Sequence, residues 1–337
     1  MNMAADEVVG LTFVTLYTTW LSLSLLCTHD SLNRHARVVS PSSTFGHWYF
    51  PLTAGDHTKI FGVFRTPILK ETSRHCLLLL LLSIVAYAGW SSSASSFLIA
   101  SLLSLLYFAQ ARTHGLVHNK ADLVPWVLFL LGVSTTTTTA VTNIRFLMGC
   151  AYTSSGIAKL RKTGLRWVEG RNLQRMIVQF MLELRHETPN FVQRMLLQST
   201  VVATMAQCVL LLFETTFLIV VVLDLLDSSS VSSRNTESSS SFSSLLMFAY
   251  GSFGFVFHTM TMITMNIDFL RFWMPGLFSA VLPYMLQSSS SSSSSGGNID
   301  VLLCFCVFCL FAWSHWREYD GTSWPVRSCF FVFLYFC

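Results

Sequence analysis

Charge is what this 337-residue chain has least of. Only 11% of its residues are Asp, Glu, Lys or Arg, against roughly 25% in soluble domains, and that deficit excludes an ordinary water-soluble enzyme. The formal net charge of +4 is too small and too dispersed for a nucleic-acid footprint. Nine cysteines are too few for a disulfide framework over this length. Most of them (Cys27, Cys76, Cys150, Cys208, Cys304, Cys306, Cys309) sit in apolar runs, where a thiol behaves as a small hydrophobe. The cluster Cys304-Phe-Cys306-Val-Phe-Cys309 has no His or carboxylate close in sequence, so it reads as span packing and no metal site is expected. No phosphate loop, His-Glu-x-x-His, double Cys-x-x-Cys or Asn-x-Ser/Thr sequon is present. No basic residue precedes the first apolar run, which is longer than a secretory core, so a retained membrane anchor is expected and no targeting peptide.

What the chain does have is apolar length: 52% of its residues are hydrophobic. A bilayer core needs about 20 apolar residues of helix per crossing, and about nine runs approach that length. They are Val8–Cys27, Cys76–Trp90, Phe97–Gln110, Leu123–Val141, Phe146–Leu160, Leu196–Leu226, Leu245–Met265, Phe269–Leu286 and Val301–Trp316. Ser91–Ser96 predicts a tight hairpin between the second and third. The predicted fold is therefore an all-α multi-pass transmembrane bundle, integral to a membrane. Its parts are an anchor span (1–27), a basic loop (28–75), a multi-pass domain (76–327) and a short apolar tail (328–337). With nine spans and an outside N-terminus, every Lys and Arg except Arg145, Arg234 and Lys159 falls on one side, as the positive-inside rule requires. Trp90, Trp126, Trp167, Trp273, Trp313 and Trp316 near span ends fit interfacial anchoring.

The serine tracts 228–244 and 288–295 are low-complexity and predict loops. Thr135–Thr139 falls inside a predicted span, where its hydroxyls can bond back to helix carbonyls and bend the helix, and a repeat expansion tolerated in the helix is the preferred reading. Residues 171–187 place Leu173, Met176, Ile177, Phe180, Met181 and Leu184 on one face of an amphipathic helix. Arg161, Lys162, Arg166, Arg171, Arg175 and Arg185 surround that face. The helix is expected either on the membrane surface beside anionic lipid or against a partner helix.

Ionisable groups inside spans are costly and are functional candidates by default. Lys159, Glu214 and His258 qualify, whereas Asp224 and Asp268 lie near span ends and are given no role. Lys159 ends a run containing Gly149, Ala151, Ser154, Ser155, Gly156 and Ala158, small residues that let helices approach closely. A lysine so shielded from water is a candidate base or nucleophile, and snorkelling to the headgroups is the alternative.

The stretch Tyr152-Thr-Ser-Ser-Gly-Ile-Ala-Lys-Leu160, followed by Trp167-Val-Glu-Gly170, resembles the signature of the HTTM domain family, which includes the vitamin K-dependent gamma-carboxylase. The resemblance runs from about Ser31 to Trp324, with Tyr152–Gly170 its specific part. It implies an endomembrane location and gives Lys159 the role of the base that deprotonates a reduced quinone. His118 and Glu214 are then the expected proton partners, and Tyr152, Gly156, Trp167 and His258 the positions around a ligand. Lys159 and Trp167 stand farther apart than in the family, and carboxylation of proteins is not expected. The cofactor is left open, with a quinone or another isoprenoid implied. The partners expected are membrane lipid and a hydrophobic small molecule, and no nucleic acid. A proton or small-anion carrier and a lipid-binding scaffold remain as alternative functions.

Overall fold

The structure, a computed structural model, describes residues 5–39, 71–113, 123–183, 189–231, 242–265 and 270–291. Among them there is no strand. Ten α-helices follow in order: α1 Ala5–Val39, α2 Glu71–Ser91, α3 Ala94–Thr113, α4 Leu123–Val133, α5 Thr137–Thr163, α6 Gly170–Glu183, α7 Phe191–Gln198, α8 Thr200–Val231, α9 Phe242–Met265 and α10 Leu270–Ser291. A short 3₁₀ turn, Gly164–Val168, links α5 to α6.

Among the described residues, four helical segments are long and apolar enough to cross a membrane: Glu7–Leu26, Thr72–Ser91, Thr200–Asp227 and Phe242–Met265. Each coincides with one of the nine expected runs, and the described residues show these four. Ala94–Phe108 and Leu123–Val133 are apolar but short. The predicted span Leu123–Val141 is broken at 134–136, and the reason lies in its threonines. The Thr136 side chain accepts from the Thr139 backbone N–H at 3.1 Å, capping the start of α5, as a short hydroxyl side chain does at a helix N-terminus. α5 is long enough to span, but its Ser and Thr residues with Arg145 and Lys159 make it too polar. Val301–Trp316 lies outside the described residues. Parts of the serine tracts expected as loops are helical, since α8 runs on to Val231, α9 starts at Phe242 and α10 runs to Ser291, and the rest of both tracts lies outside the described residues.

The long helices reverse the pattern of soluble ones. α8 exposes Val201, Met205, Val209, Leu212, Ile219, Val222, Leu223 and Leu226, while Gln207, Glu214 and Asp224 are buried. Polar groups inside and apolar groups outside is the arrangement that hydrocarbon favours and water opposes.

The described residues divide into two compact units. One holds α1–α4, to Gly132, with the end of α10 from Met285. Its expected hairpin is present: α2 and α3 are joined by two residues, and Ser92 takes a positive φ of 49° to turn the chain. His29 of α1 lies 3.2 Å from the Tyr107 hydroxyl of α3. The other unit, Val133–Tyr284, carries all of the predicted site residues that the structure describes.

In that second unit α6 has the predicted amphipathic form, and its apolar face is spent within the chain. Leu173 and Ile177 are buried with Leu196 of α7 and Ala203 of α8, so the partner-helix expectation holds for this face. α7 in turn starts from an Asn190/Gln193 capping box. The same two side chains donate to the carbonyls of Ile263 (2.8 Å) and Thr264 (2.9 Å), closing the C-terminal end of α9.

Candidate functional site: the α5–α8 seam

Along α5, Arg145, Gly149, Tyr152, Gly156 and Lys159 recur at alternating steps of four and three, the spacing that keeps one stripe of a helix on one partner. On α8 the corresponding stripe is Glu214, Phe217, Val221 and Asp224. The two run antiparallel. Arg145 pairs with Asp224, Tyr152 stacks on Phe217 with ring centroids 4.9 Å apart, and Lys159 pairs with Glu214. At 1.5 Å per residue, the two ion pairs stand about 21 Å apart along α5.

Glycine sets the closeness of this packing. A β-carbon on Gly149 would lie 3.2 Å from the Leu218 Cα, and one on Gly156 would lie 3.0 Å from the Glu214 Cβ and from the Thr215 backbone nitrogen. Small residues at such contacts let helix backbones meet. Between the two glycines, the Thr153 hydroxyl accepts from the Leu218 backbone N–H at 3.1 Å.

Lys159, one turn beyond Gly156, donates from Nζ to both carboxylate oxygens of Glu214. Ser155 adds a hydrogen bond to the same carboxylate. The Lys159 side chain is 20% exposed and that of Glu214 only 4%, so the amine stands between the surroundings and a carboxylate buried behind it. The Lys159 Nζ also sits 5.3 Å from the centroid of the Trp167 ring, within cation–π range. Trp167 lies on the 3₁₀ turn, which Gly170 pins to α8. The Gly170 N–H donates to the Thr204 hydroxyl at 2.9 Å, and the backbone lies too close to the Thr200 carbonyl for any β-carbon. With its amide nitrogen turned toward the turn, Gln207 donates to the carbonyls of Trp167 and Glu169. The indole Nε1 of Trp167 is buried and has no hydrogen-bond partner among the described residues.

Mid-seam, the Tyr152 hydroxyl and the His258 Nε2 of α9 are 2.5 Å apart, with both residues 2% exposed. Phe213 (5.0 Å), Phe217 (4.9 Å) and Trp273 of α10 (5.2 Å) surround the Tyr152 ring. A tyrosine buried this deeply in aromatic rings requires a polar partner for its hydroxyl, and His258 supplies it.

Of the predicted site residues, the structure brings together Lys159, Glu214 and Trp167 at one end of the seam. Tyr152 and His258 meet in the middle, and Gly156 provides the close approach between them. His118 and Asp268 lie outside the described residues. Sequence reasoning missed the other end of the seam. Arg145 does not lie in a loop and Asp224 does not reach the interface: both are buried, and the guanidinium donates to the Asp224 carboxylate and, through Nε, to the Ser279 carbonyl at 3.1 Å. The Ser244 hydroxyl donates to the same carboxylate at 3.3 Å. The spacing held the signal, because Arg145 precedes Lys159 by two heptads. No group of three or more potential metal ligands occurs among the described residues.

In comparisons with known proteins, no family model, no curated protein and no solved structure matches the chain.

Proposed function

We propose that the chain is an integral, multi-pass membrane protein whose α5–α8 seam carries an acid–base site acting on a membrane-soluble weak acid of the quinol type. The observation that carries this reading is the Lys159–Glu214 pair: a partly accessible amine in contact with both oxygens of a buried carboxylate. A proton passing from Lys159 to Glu214 leaves a neutral amine. That amine takes the hydroxyl proton of the substrate, giving its anion and regenerating the ammonium, while Glu214 retains the first proton until it is released. The buried Tyr152–His258 pair, two turns away along α5, is a second group able to hold or pass a proton. The resemblance of Tyr152–Gly170 to the HTTM signature supports the same assignment of Lys159, and the nine-span topology remains part of the proposal.

The test is oxidation of an added quinol by dissolved dioxygen, which accepts the electrons of the quinol anion, in proteoliposomes of wild type, Lys159→Ala and Lys159→Arg. A positioned general base contributes roughly 10²–10⁴-fold, so Lys159→Ala is expected to lose at least about a hundredfold while keeping its helix content. An unchanged rate refutes the reading.

A second reading, a proton carrier, is favoured by the succession of polar pairs along about 21 Å of the seam. Proton flux that depends on Glu214 without any chemical turnover would select it.

A further inference from the structure

The chain leaving the seam carries Arg161, Lys162, Arg166, Arg171 and Arg175, all exposed, and none is in an ion pair among the described residues. Three of these cations have a local explanation. Arg161 and Lys162 lie in the last turn of α5, where positive charge complements the helix dipole. Arg166 likewise lies in the last turn of the short 3₁₀ segment, and Arg171 and Arg175 have none. Arg171 is in the first turn of α6, which holds no acidic residue, and positive charge there opposes the dipole. Arg175 lies on the side of α6 opposite the buried Leu173–Ile177 face, and Arg166 is exposed on the 3₁₀ turn.

The apolar side chain between these cations is equally out of place for a surface in water: Leu165 is 75% exposed. The position of the surface explains both features. Gly170 is bonded to Thr204 near the start of α8, and from there α8 presents the outward apolar row Val201, Met205 and Val209. The basic surface therefore stands where an apolar outer face ends, the level of lipid headgroups.

We infer that the outer surface of residues 161–175 docks on anionic lipid headgroups, with Leu165 entering the boundary between headgroup and acyl chain and Arg166, Arg171 and Arg175 binding the phosphates. Charge complementarity identifies this occupant, since a polybasic segment beside a span binds anionic lipid at a strength that grows with each cation. The sequence pattern alone left the apolar face to the membrane surface or to a partner helix. With Leu173 and Ile177 buried against α7 and α8, the contact is made by the opposite, basic face. This inference does not depend on Lys159 being a base.

The experiment uses the full chain, purified in mixed micelles containing equal amounts of phosphatidylglycerol and phosphatidylcholine. After detergent washing, the retained headgroups are quantified by mass spectrometry for wild type, Arg166→Gln/Arg171→Gln/Arg175→Gln and the corresponding triple Lys variant. Each cation is worth about fivefold in affinity for an anionic surface. The Gln variant is thus expected to lose roughly a hundredfold and to retain the two lipids nearly equally. The Lys variant keeps the preference for phosphatidylglycerol, which separates charge from a structural role, and 0.5 M salt, about the concentration that shortens screening to a few ångströms, weakens it. Wild type that retains both lipids equally overturns the inference. So does a Gln variant with undiminished preference, or a stoichiometric acidic polypeptide on the basic surface in place of lipid.

Discussion

Removing Asp224 tests whether the seam is held as its geometry indicates. In Asp224→Ala the Arg145 guanidinium stays buried with one remaining bond, to the Ser279 carbonyl. It loses a carboxylate whose side chain is 4% exposed. Breaking a buried pair from one side costs about 3–5 kcal/mol, chiefly because a charge is left uncompensated. The retained Ser279 bond argues for the lower end, about 3 kcal/mol. At roughly 2–4 °C per kcal/mol for a chain of this size, the midpoint should fall by roughly 6–12 °C. The double variant Arg145→Met/Asp224→Leu leaves no buried charge and should recover most of that loss, to within about 1 kcal/mol of wild type. Thermal unfolding of the detergent-solubilised protein, followed by circular dichroism and completed as a double-mutant cycle with the single variants Arg145→Met and Asp224→Leu, supplies all the terms. A double variant that falls by the sum of the two single losses would show that the two side chains do not interact, and the seam reading would fail with it.

Two further substitutions probe the same packing. Gly156→Ala should cost about 1–3 kcal/mol, because its β-carbon would meet the Thr215 side chain at 2.8 Å and the Glu214 Cβ at 3.0 Å; a midpoint unchanged by this substitution contradicts the close approach of α5 and α8. Thr136→Ala should cost about 1 kcal/mol through loss of the α5 cap, and hydrogen exchange confined to faster opening of the first turn of α5 would locate the effect there.

Helical class and the key partners of the site were legible in the sequence because each leaves a local pattern. The small residues before Lys159 announced close packing, and Gly156 does face Glu214 and Thr215. The positions of the helix breaks were not legible. A run such as Leu123–Val141 is uniformly apolar or weakly polar, so hydropathy gives no reason to stop at Val133, and the capping geometry of Thr136 with Thr139 exists only once the chain has turned. That displaced break is also why Arg145 was misread. A turn near 142–145 puts it in a loop, whereas a turn at 134–136 puts it two turns inside α5. Asp224 was misread for a complementary reason, since its place near the end of an apolar run suggested escape to the interface, while α8 continues to Val231 and carries it inward. The destination of the α6 apolar face was undecidable from periodicity, because a membrane surface and a neighbouring helix ask for the same pattern.

The charges of the seam are divided by helix: α5 contributes both cations and α8 both anions. In an apolar layer, burial of hydrophobic surface cannot choose how two helices align, because lipid tails solvate those side chains as well as another helix does. Alignment must come from close contacts and from polar groups that lose their partners in any other register. Sliding α5 by one heptad toward the start of α8 would set Arg145 against Phe217 and remove Lys159 from Glu214, leaving four charges uncompensated in place of two pairs. A slide in the other direction leaves Asp224 facing Tyr152. Gly149 and Gly156 reinforce the choice, since each fits a backbone approach that a neighbouring register would fill with a larger side chain. The Arg145–Asp224 pair, buried and remote from the amine, is thus the element that fixes where Lys159 stops, under the Trp167 ring and against Glu214. A base that must meet its proton partner within hydrogen-bond reach requires that alignment, which ties the residues missed in the sequence to the chemistry proposed for those found in it.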